Sequence, residues 1–218
     1  PDDDVLGCGG QIIKHVACGD DVHIVYCSDT RGVGVFGMPE YDRLQLSETL
    51  AMAEALGVGE GRIHILDETP MKYREDVLYE DFLRILREVK PSVVYLPHPR
   101  EGYRHPDHEV VFRAAKKALW IAPSSFFSAV GEEPSPRIKE AWLYEVWVPL
   151  EAMGDVPIKF KPISEETLEK KLAALEERVS QPADWYAHAT RGLAAFRGAM
   201  RQSEPCEYAE AFVPLSFD

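Results

Sequence analysis

Residues His105-Pro106-Asp107-His108 place two imidazoles and a carboxylate within four positions. They follow a strand-like run, Ser92-Val93-Val94-Tyr95-Leu96, and precede a helix-like run from Val110 to Leu119. In an open α/β sheet the strand-to-helix turn is where ligands collect. Neutral imidazole is a common metal ligand, and a carboxylate beside it can hold the ring in one tautomer. The chain opens on a second such stretch, Pro1-Asp2-Asp3-Asp4-Val5-Leu6-Gly7-Cys8-Gly9-Gly10. Its three adjacent carboxylates stand ahead of small residues that open a helix. Alone, such acids need only complement a helix dipole, and two loop histidines can be incidental. Together they form a mixed N/O donor set suited to Zn²⁺.

The elements that must position these groups are read from periodicity. Between Gly7 and Cys18, the residues Ile12, Ile13, Val16 and Ala17 fall at helical spacing, with Gly19 as a stop. Asp21 to Ser28 reads as a buried strand, and Thr30-Arg31-Gly32-Val33-Gly34 as a flexible turn at its exit. Tyr41 to Leu56 is a second helix ended by Gly57, Arg62 to Leu66 a short strand, and Asp76 to Val89 a third helix. Pro91 to Leu96 is the next strand. Ile121 to Arg137, rich in Pro, Ser and Gly, reads as a loop or lid. Glu140 to Val148 is a further strand. Ser164 caps a helix reaching about Ser180, and Pro182 starts another reaching about Met200. Alternating strands and helices imply right-handed crossovers and a parallel sheet. The expected fold is α/β: a Rossmann-like, open, mostly parallel sheet with helices on both faces, as a single domain over residues 1–218.

Composition narrows the function. A length of 218 residues with 45% hydrophobic content supports one sizeable core. A formal net charge of −13 argues against a nucleic-acid footprint, which needs clustered Lys and Arg, and against an anionic membrane surface. No apolar run approaches the ~20 residues of a membrane span. Cys8, Cys18, Cys27 and Cys206 lack Cys-x-x-Cys spacing and read as reduced thiols of a cytoplasmic protein.

The acidic opening and the His-Pro-Asp-His stretch together resemble the PIG-L / LmbE-like zinc deacetylases of N-acetyl sugars. That family opens with His-Pro-Asp-Asp-Glu before a Gly-rich helix start and carries His-Pro-Asp-His near its middle. Here the second motif is complete. The first lacks its leading His, and Asp4 stands where Glu is usual. Val33 replaces the Glu of the family's Thr-Arg-Gly-Glu turn, and Gln45 stands where an Arg precedes the helix Glu, here Glu48. Arg43, two residues before Gln45, reads as an exposed helix charge. Tyr144-Glu145-Val146-Trp147, Ser180-Gln181 and Tyr208-Ala209-Glu210-Ala211-Phe212 resemble the tail of bacterial members, including thiol-sugar deacetylases.

The resemblance implies hydrolysis of the acetamide of an N-acetylated amino sugar, a small-molecule substrate, with Zn²⁺ or another divalent cation. It implies that Asp3 and His108 are metal ligands, beside a third His upstream. Asp2 would be the general base and His105 the partner of the oxyanion or leaving group, with Asp107 orienting His105. Tyr103 matches a Tyr of the mycothiol-deacetylase branch; it is a second oxyanion donor or an aromatic lid residue. Arg31, Asp67 and Arg104 sit near strand exits, where they either read sugar hydroxyls or are solvated charges. His98 reads as structural. Homo-oligomerisation follows by analogy only. Two other readings compete: a methyltransferase, whose nucleotide loop Leu6-Gly7-Cys8-Gly9-Gly10 resembles, and a non-catalytic binding protein on the same scaffold.

In the family the acidic motif follows the first, central strand, which is missing ahead of Pro1. A sheet without it would leave two rows of backbone groups unpaired. The expectation is a longer natural chain with a short apolar strand and a His before Pro1. The intact mass of the natural protein should then exceed 24.6 kDa, and a mass equal to it would count against that expectation.

Overall fold

The computed structural model describes residues 2–28, 39–125, 133–154, 156–181, 183–201 and 204–216, except the side chains of 39–42, 103 and 183. In chain order the helices and strands are α1 (Asp3–Ala17), β1 (Ile24–Tyr26), α2 (Pro39–Ala55), β2 (Ile63–Ile65), α3 (Glu75–Val89), β3 (Val93–Pro97), α4 (Pro106–Ile121), β4 (Glu140–Tyr144), β5 (Lys159–Ile163), α5 (Glu165–Glu176), α6 (Ala183–Ala199) and β6 (Tyr208–Pro214). They group into two compact units, one of Pro1–Thr69 with Lys159–Ala211, the other of Pro70–Ile158 with Phe212–Asp218.

In the first unit, β1 and β2 pair in parallel, with Ile24 opposite Ile63 and Tyr26 opposite Ile65. Helix α5 buries Leu168, Leu172 and Leu175 and packs against α1, α2 and α6. Its start is fixed as expected: the Ser164 hydroxyl accepts a hydrogen bond from the Thr167 amide at 3.1 Å. Strand β5 is hydrogen-bonded beside β6.

Helix α1 is not regular. At Cys8 the backbone leaves helical values, with φ −142° and ψ 15°. In an unbroken helix the Gly10 and Gln11 amides would donate to the carbonyls of Leu6 and Gly7. Instead they donate to the two carboxylate oxygens of Glu210, at 2.8 and 3.0 Å. The Leu6 carbonyl accepts from Lys171 Nζ at 2.9 Å. Lys171 and Glu210 are 2.7 Å apart, with side chains only 3% and 4% exposed. A buried ion pair is therefore inserted into the helix ladder, a recognised cause of kinks. Gly10 has to be glycine here, because a Cβ would stand 2.8 Å from Ile163 Cγ2 and 2.9 Å from Glu210 Oε1.

In the second unit, β3 and β4 pair in parallel from Val93–Glu140 to Pro97–Tyr144. Strand β4 pairs antiparallel with the end of β6, Tyr144 opposite Phe212 and Trp142 opposite Pro214. Helices α3 and α4 pack on each other and bury Leu78, Phe82, Leu83, Ala114, Ala118 and Leu119. Tyr95 meets Phe212 edge to face at 5.4 Å.

The fold class is α/β with open sheets; the β1–β2 and β3–β4 pairs are parallel as expected, and the β4–β6 pair is antiparallel. Two helices begin a full turn earlier than periodicity indicates, α1 at Asp3 and α4 at Pro106. Each opens on charged residues, which hide the start of the apolar repeat. The strand expected over Glu140–Val148 stops at Tyr144, because the amides beyond it turn to a buried carboxylate described below. The turn containing Arg31 lies outside the described residues, as do residues 126–132 of the expected loop.

The inserted ion pair gives a direct expectation. Lys171→Met leaves Glu210 charged and buried and the Leu6 carbonyl without its donor, and should cost about 3–5 kcal/mol of stability. Lys171→Met combined with Glu210→Gln should recover part of that loss. Urea unfolding followed by circular dichroism checks both; a loss under about 1 kcal/mol for the single variant would contradict the wedge.

Candidate active site

In the first unit, the three opening carboxylates have different surroundings. Asp4 Oδ2 accepts from the Tyr26 hydroxyl at 2.9 Å, which ties the first turn of α1 to the end of β1. Burial pushes the Asp4 carboxyl up, against the pull of the Tyr26 hydrogen bond. The Tyr26 phenol is itself raised well above its ordinary value by burial and by Asp4. Asp3 is half-buried in the same turn. Asp2, immediately before α1, has its side chain 15% exposed, and its Oδ2 lies 3.1 Å from Arg178 Nε. Burial pushes Asp2 up to about 6, Asp3 adds to the rise, and Arg178 opposes it.

Arg178 is itself held. Its Nη1 lies 3.9 Å from Glu48 Oε2, and that carboxylate accepts from the Ser180 amide at 2.7 Å and its hydroxyl at 2.5 Å. Glu48 and the Ser180-Gln181 pair were singled out in the sequence as separate stretches. Arg178 was missed, because a charge at the end of an amphipathic helix reads as solvated. It is in fact 5% exposed. Arg43 is exposed. Asp67 is exposed just past β2, between the Leu66 amide bonded to Tyr26 and the Glu68 amide bonded to Cys27.

The second unit holds the imidazoles. His105 stands at the N-cap of α4 and Pro106 at its first position, where a missing N–H costs nothing. The rings of His105 and His108 stack at 5.2 Å with planes 26° apart. Asp107 and His108 are buried. The orienting contact expected between Asp107 and His105 is a 3.8 Å approach, too long for a hydrogen bond. Asp107 Oδ2 instead accepts from the Met71 amide at 2.7 Å. Met71 has φ +65°, a left-handed conformation that costs a non-glycine residue on the order of 1 kcal/mol or more. Asp107 thus holds a strained loop against the start of α4.

Glu101, which the sequence reading passed over, organises the approach to this turn. It is fully buried and accepts from the amides of Val146 and Val148 at 2.8 and 3.0 Å, with that of Trp147 beside them. Successive amides around one carboxylate form an anion-binding nest. Val146 and Trp147, the end of the Tyr144–Trp147 stretch, form this nest with Val148. The Tyr103 backbone lies in the 3-10 turn Pro99–Tyr103; its side chain lies outside the description. Arg104 is exposed and donates its amide to the Glu101 carbonyl at 2.9 Å. His98 is structural: its Nδ1 accepts from the Arg100 amide at 3.2 Å.

Among the described residues, no three His, Cys, Asp or Glu side chains gather closely enough to hold an ion. The resemblance implies two ligands, Asp3 of the first unit and His108 of the second, so a three-ligand cluster is not expected from either motif. Their N and O donors suit a borderline divalent cation. His105 Nδ1 and Asp4 Oδ1 are buried without a hydrogen-bond partner. Such atoms are found where a structure normally receives an ion or a water. Each motif, taken within its own unit, offers donors of a kind that fits a metal.

Residues 1–119, more than half of the chain, match the family model for GlcNAc-PI de-N-acetylase, PIG-L. The chain belongs to the PIG-L family. A Mycolicibacterium vanbaalenii 1D-myo-inositol 2-acetamido-2-deoxy-alpha-D-glucopyranoside deacetylase is 26% identical over 93% of this chain and 78% of its own length. The N,N'-diacetylchitobiose deacetylase of Pyrococcus horikoshii superposes with a TM-score of 0.78 at 26% identity, over 99% of this chain and 80% of that one. A 4-carboxy-2-hydroxymuconate hydratase of Pseudomonas putida KT2440 superposes with a TM-score of 0.79 at 22% identity, over 100% and 92%, and shares the fold alone. Within the PIG-L family the Gly-rich Leu6–Gly10 stretch belongs to helix α1, so the resemblance to a nucleotide loop falls away.

Burial and the neighbouring Arg100 pull His98 down from 6.5 to about 4. Folding therefore favours its neutral form. The resulting stabilisation is complete above about pH 6.5 and is lost as pH falls through about 4. Protonation would also replace the acceptor that Arg100 uses. Between pH 7 and 4 the native protein should lose on the order of 2 to 3 kcal/mol more than His98→Asn, measured by urea unfolding. Equal losses would contradict this account.

Proposed function

We propose that the chain hydrolyses the acetamide of an N-acetylated amino sugar, or of a conjugate of one, to acetate and the free amine. The observation that carries this reading is Asp2: a largely buried carboxylate that the nearby Arg178 Nε faces without a hydrogen bond, at the position the family's motif assigns to the base. Burial raises its affinity for a proton, which it accepts and can return. Zn²⁺ or another divalent cation, held by Asp3 and His108, would lower the pKa of a bound water and polarise the acyl oxygen.

Asp2 takes the proton of the attacking water and delivers it to the leaving nitrogen as the C–N bond breaks. His105, at the N-cap of α4, donates to the oxygen that gains charge, together with the helix's own amide ends. Asp107 acts at one remove, by fixing the Met71 loop. Tyr103 is assigned as a second donor. Arg31, Asp67 and Arg104 are assigned to the hydroxyls of the sugar. No helix among the described residues is long and apolar enough to cross a membrane. A small polar substrate and a cytoplasmic setting are consistent with the acidic surface and the free cysteines.

The shared fold of a hydratase makes acetate release the deciding readout. His108→Ala should lose both bound zinc and activity. Asp2→Asn should keep zinc, by elemental analysis, and slow acetate release from N-acetylglucosamine conjugates by ~10² to 10⁴. An Asp2→Asn enzyme with full activity would overturn the base assignment.

A further inference from the structure

Arg178 makes an unusual ion pair. Its Nε is 3.1 Å from Asp2 Oδ2, yet neither Nε nor Nη1 forms a hydrogen bond: Asp2 lies off the Nε–H direction, and Glu48 Oε2 is 3.9 Å from Nη1. The protein's structural ion pair is built differently. Around Lys171 and Glu210 the charged atoms meet their partners in hydrogen bonds of 2.7 to 3.2 Å, four of them to Glu210. A buried guanidinium with two of its nitrogens left without hydrogen bonds is costly. It is nonetheless firmly placed. The turn after α5 is closed by the Arg178 amide on the Leu175 carbonyl and the Gln181 amide on the Arg178 carbonyl, both at 3.1 Å. Glu48 on α2 flanks the guanidinium and grips Ser180 twice.

We propose that Arg178, anchored through Glu48 and Ser180, is a positioning residue for Asp2: it fixes the carboxylate electrostatically while leaving its oxygens free for the reacting proton. The proposal rests on reading Asp2 as the base. A base needs an open lone pair. A bidentate Arg–carboxylate fork would occupy both oxygens. An off-axis cation balances the crowded charge of Asp2 and Asp3 without doing so.

The test is a double-mutant cycle of Arg178→Met and Asp2→Asn on zinc-loaded protein with an N-acetylglucosamine conjugate. Displacing a reacting group by about 1 Å costs on the order of 10²-fold in rate. Arg178→Met alone should lower kcat by ~10- to 100-fold, with KM and zinc affinity within ~3-fold of the native values. In the Asp2→Asn background it should lower kcat no further. Equal losses in both backgrounds, or a loss confined to zinc affinity or KM, would overturn the positioning role and leave the base assignment standing. Full activity of Asp2→Asn would sink that assignment and the proposal with it. If Arg178→Met does not fold by circular dichroism, Arg178→Gln carries the same cycle. It removes the charge while keeping a polar side chain, and the same non-additivity is required of it.

Discussion

The break in α1 depends on one buried ion pair. A helix interrupted at Cys8 would expose two amides and a carbonyl in the interior, each costing on the order of 1–3 kcal/mol unpaired. Glu210 answers the amides and Lys171 the carbonyl, and the two neutralise each other. Gln11 adds its side-chain amide to Glu210 at 3.2 Å. A buried pair stabilises only when its remaining donors and acceptors are satisfied; here the broken helix itself satisfies them. The consequence reaches the chemistry. The first turn of α1, which carries Asp3 and Asp4, takes its direction from residues on α5 and β6. The opening acids are aimed by residues more than 160 positions later in the chain.

That turn converts three identical side chains into three different groups. Asp4 is spent on Tyr26 and holds the turn to the sheet. Asp2 faces a cation that opposes its charge without capturing its oxygens. Asp3 lies between them, half-buried. Their intrinsic acidities are equal, so environment alone sets them apart. The same economy operates in the second unit. Asp107, next to two imidazoles, spends its short bond on a loop amide rather than on a ring. Its effect on the site is therefore mechanical before it is electrostatic.

The sequence disclosed the groups that do chemistry better than the groups that place them. The His-Pro-Asp-His and Asp-Asp-Asp stretches stand out because several reactive side chains are adjacent. Lys171, Glu210, Arg178 and Glu101 do not, because each is a lone charge in a polar neighbourhood. A helix end and a strand tail give no local sign that a charge is 5% exposed or less. Strand β5 was missed because Lys159-Phe160-Lys161-Pro162-Ile163 holds a proline and two lysines, which read as breaker and surface. Strand β6 was missed because Glu210 interrupts its apolar run, although that residue carries the structure of α1. Helices α2, α3, α5 and α6 were legible because periodicity and end signals agree there.

Shared architecture does not decide the reaction, since a hydratase and a deacetylase superpose on this chain almost equally well. The discrimination has to come from groups that a scaffold does not require. A scaffold has no use for a buried arginine with two nitrogens unbonded, a left-handed methionine pinned by a carboxylate, or an imidazole nitrogen buried without a partner. Each costs folding free energy, and each lies beside a residue of one of the two motifs. Local rules broken without structural gain are the expected mark of a working site. In this chain they fall around Asp2 and around His105, on the same residues that the amide-cleaving reading needs as base and as oxyanion partner.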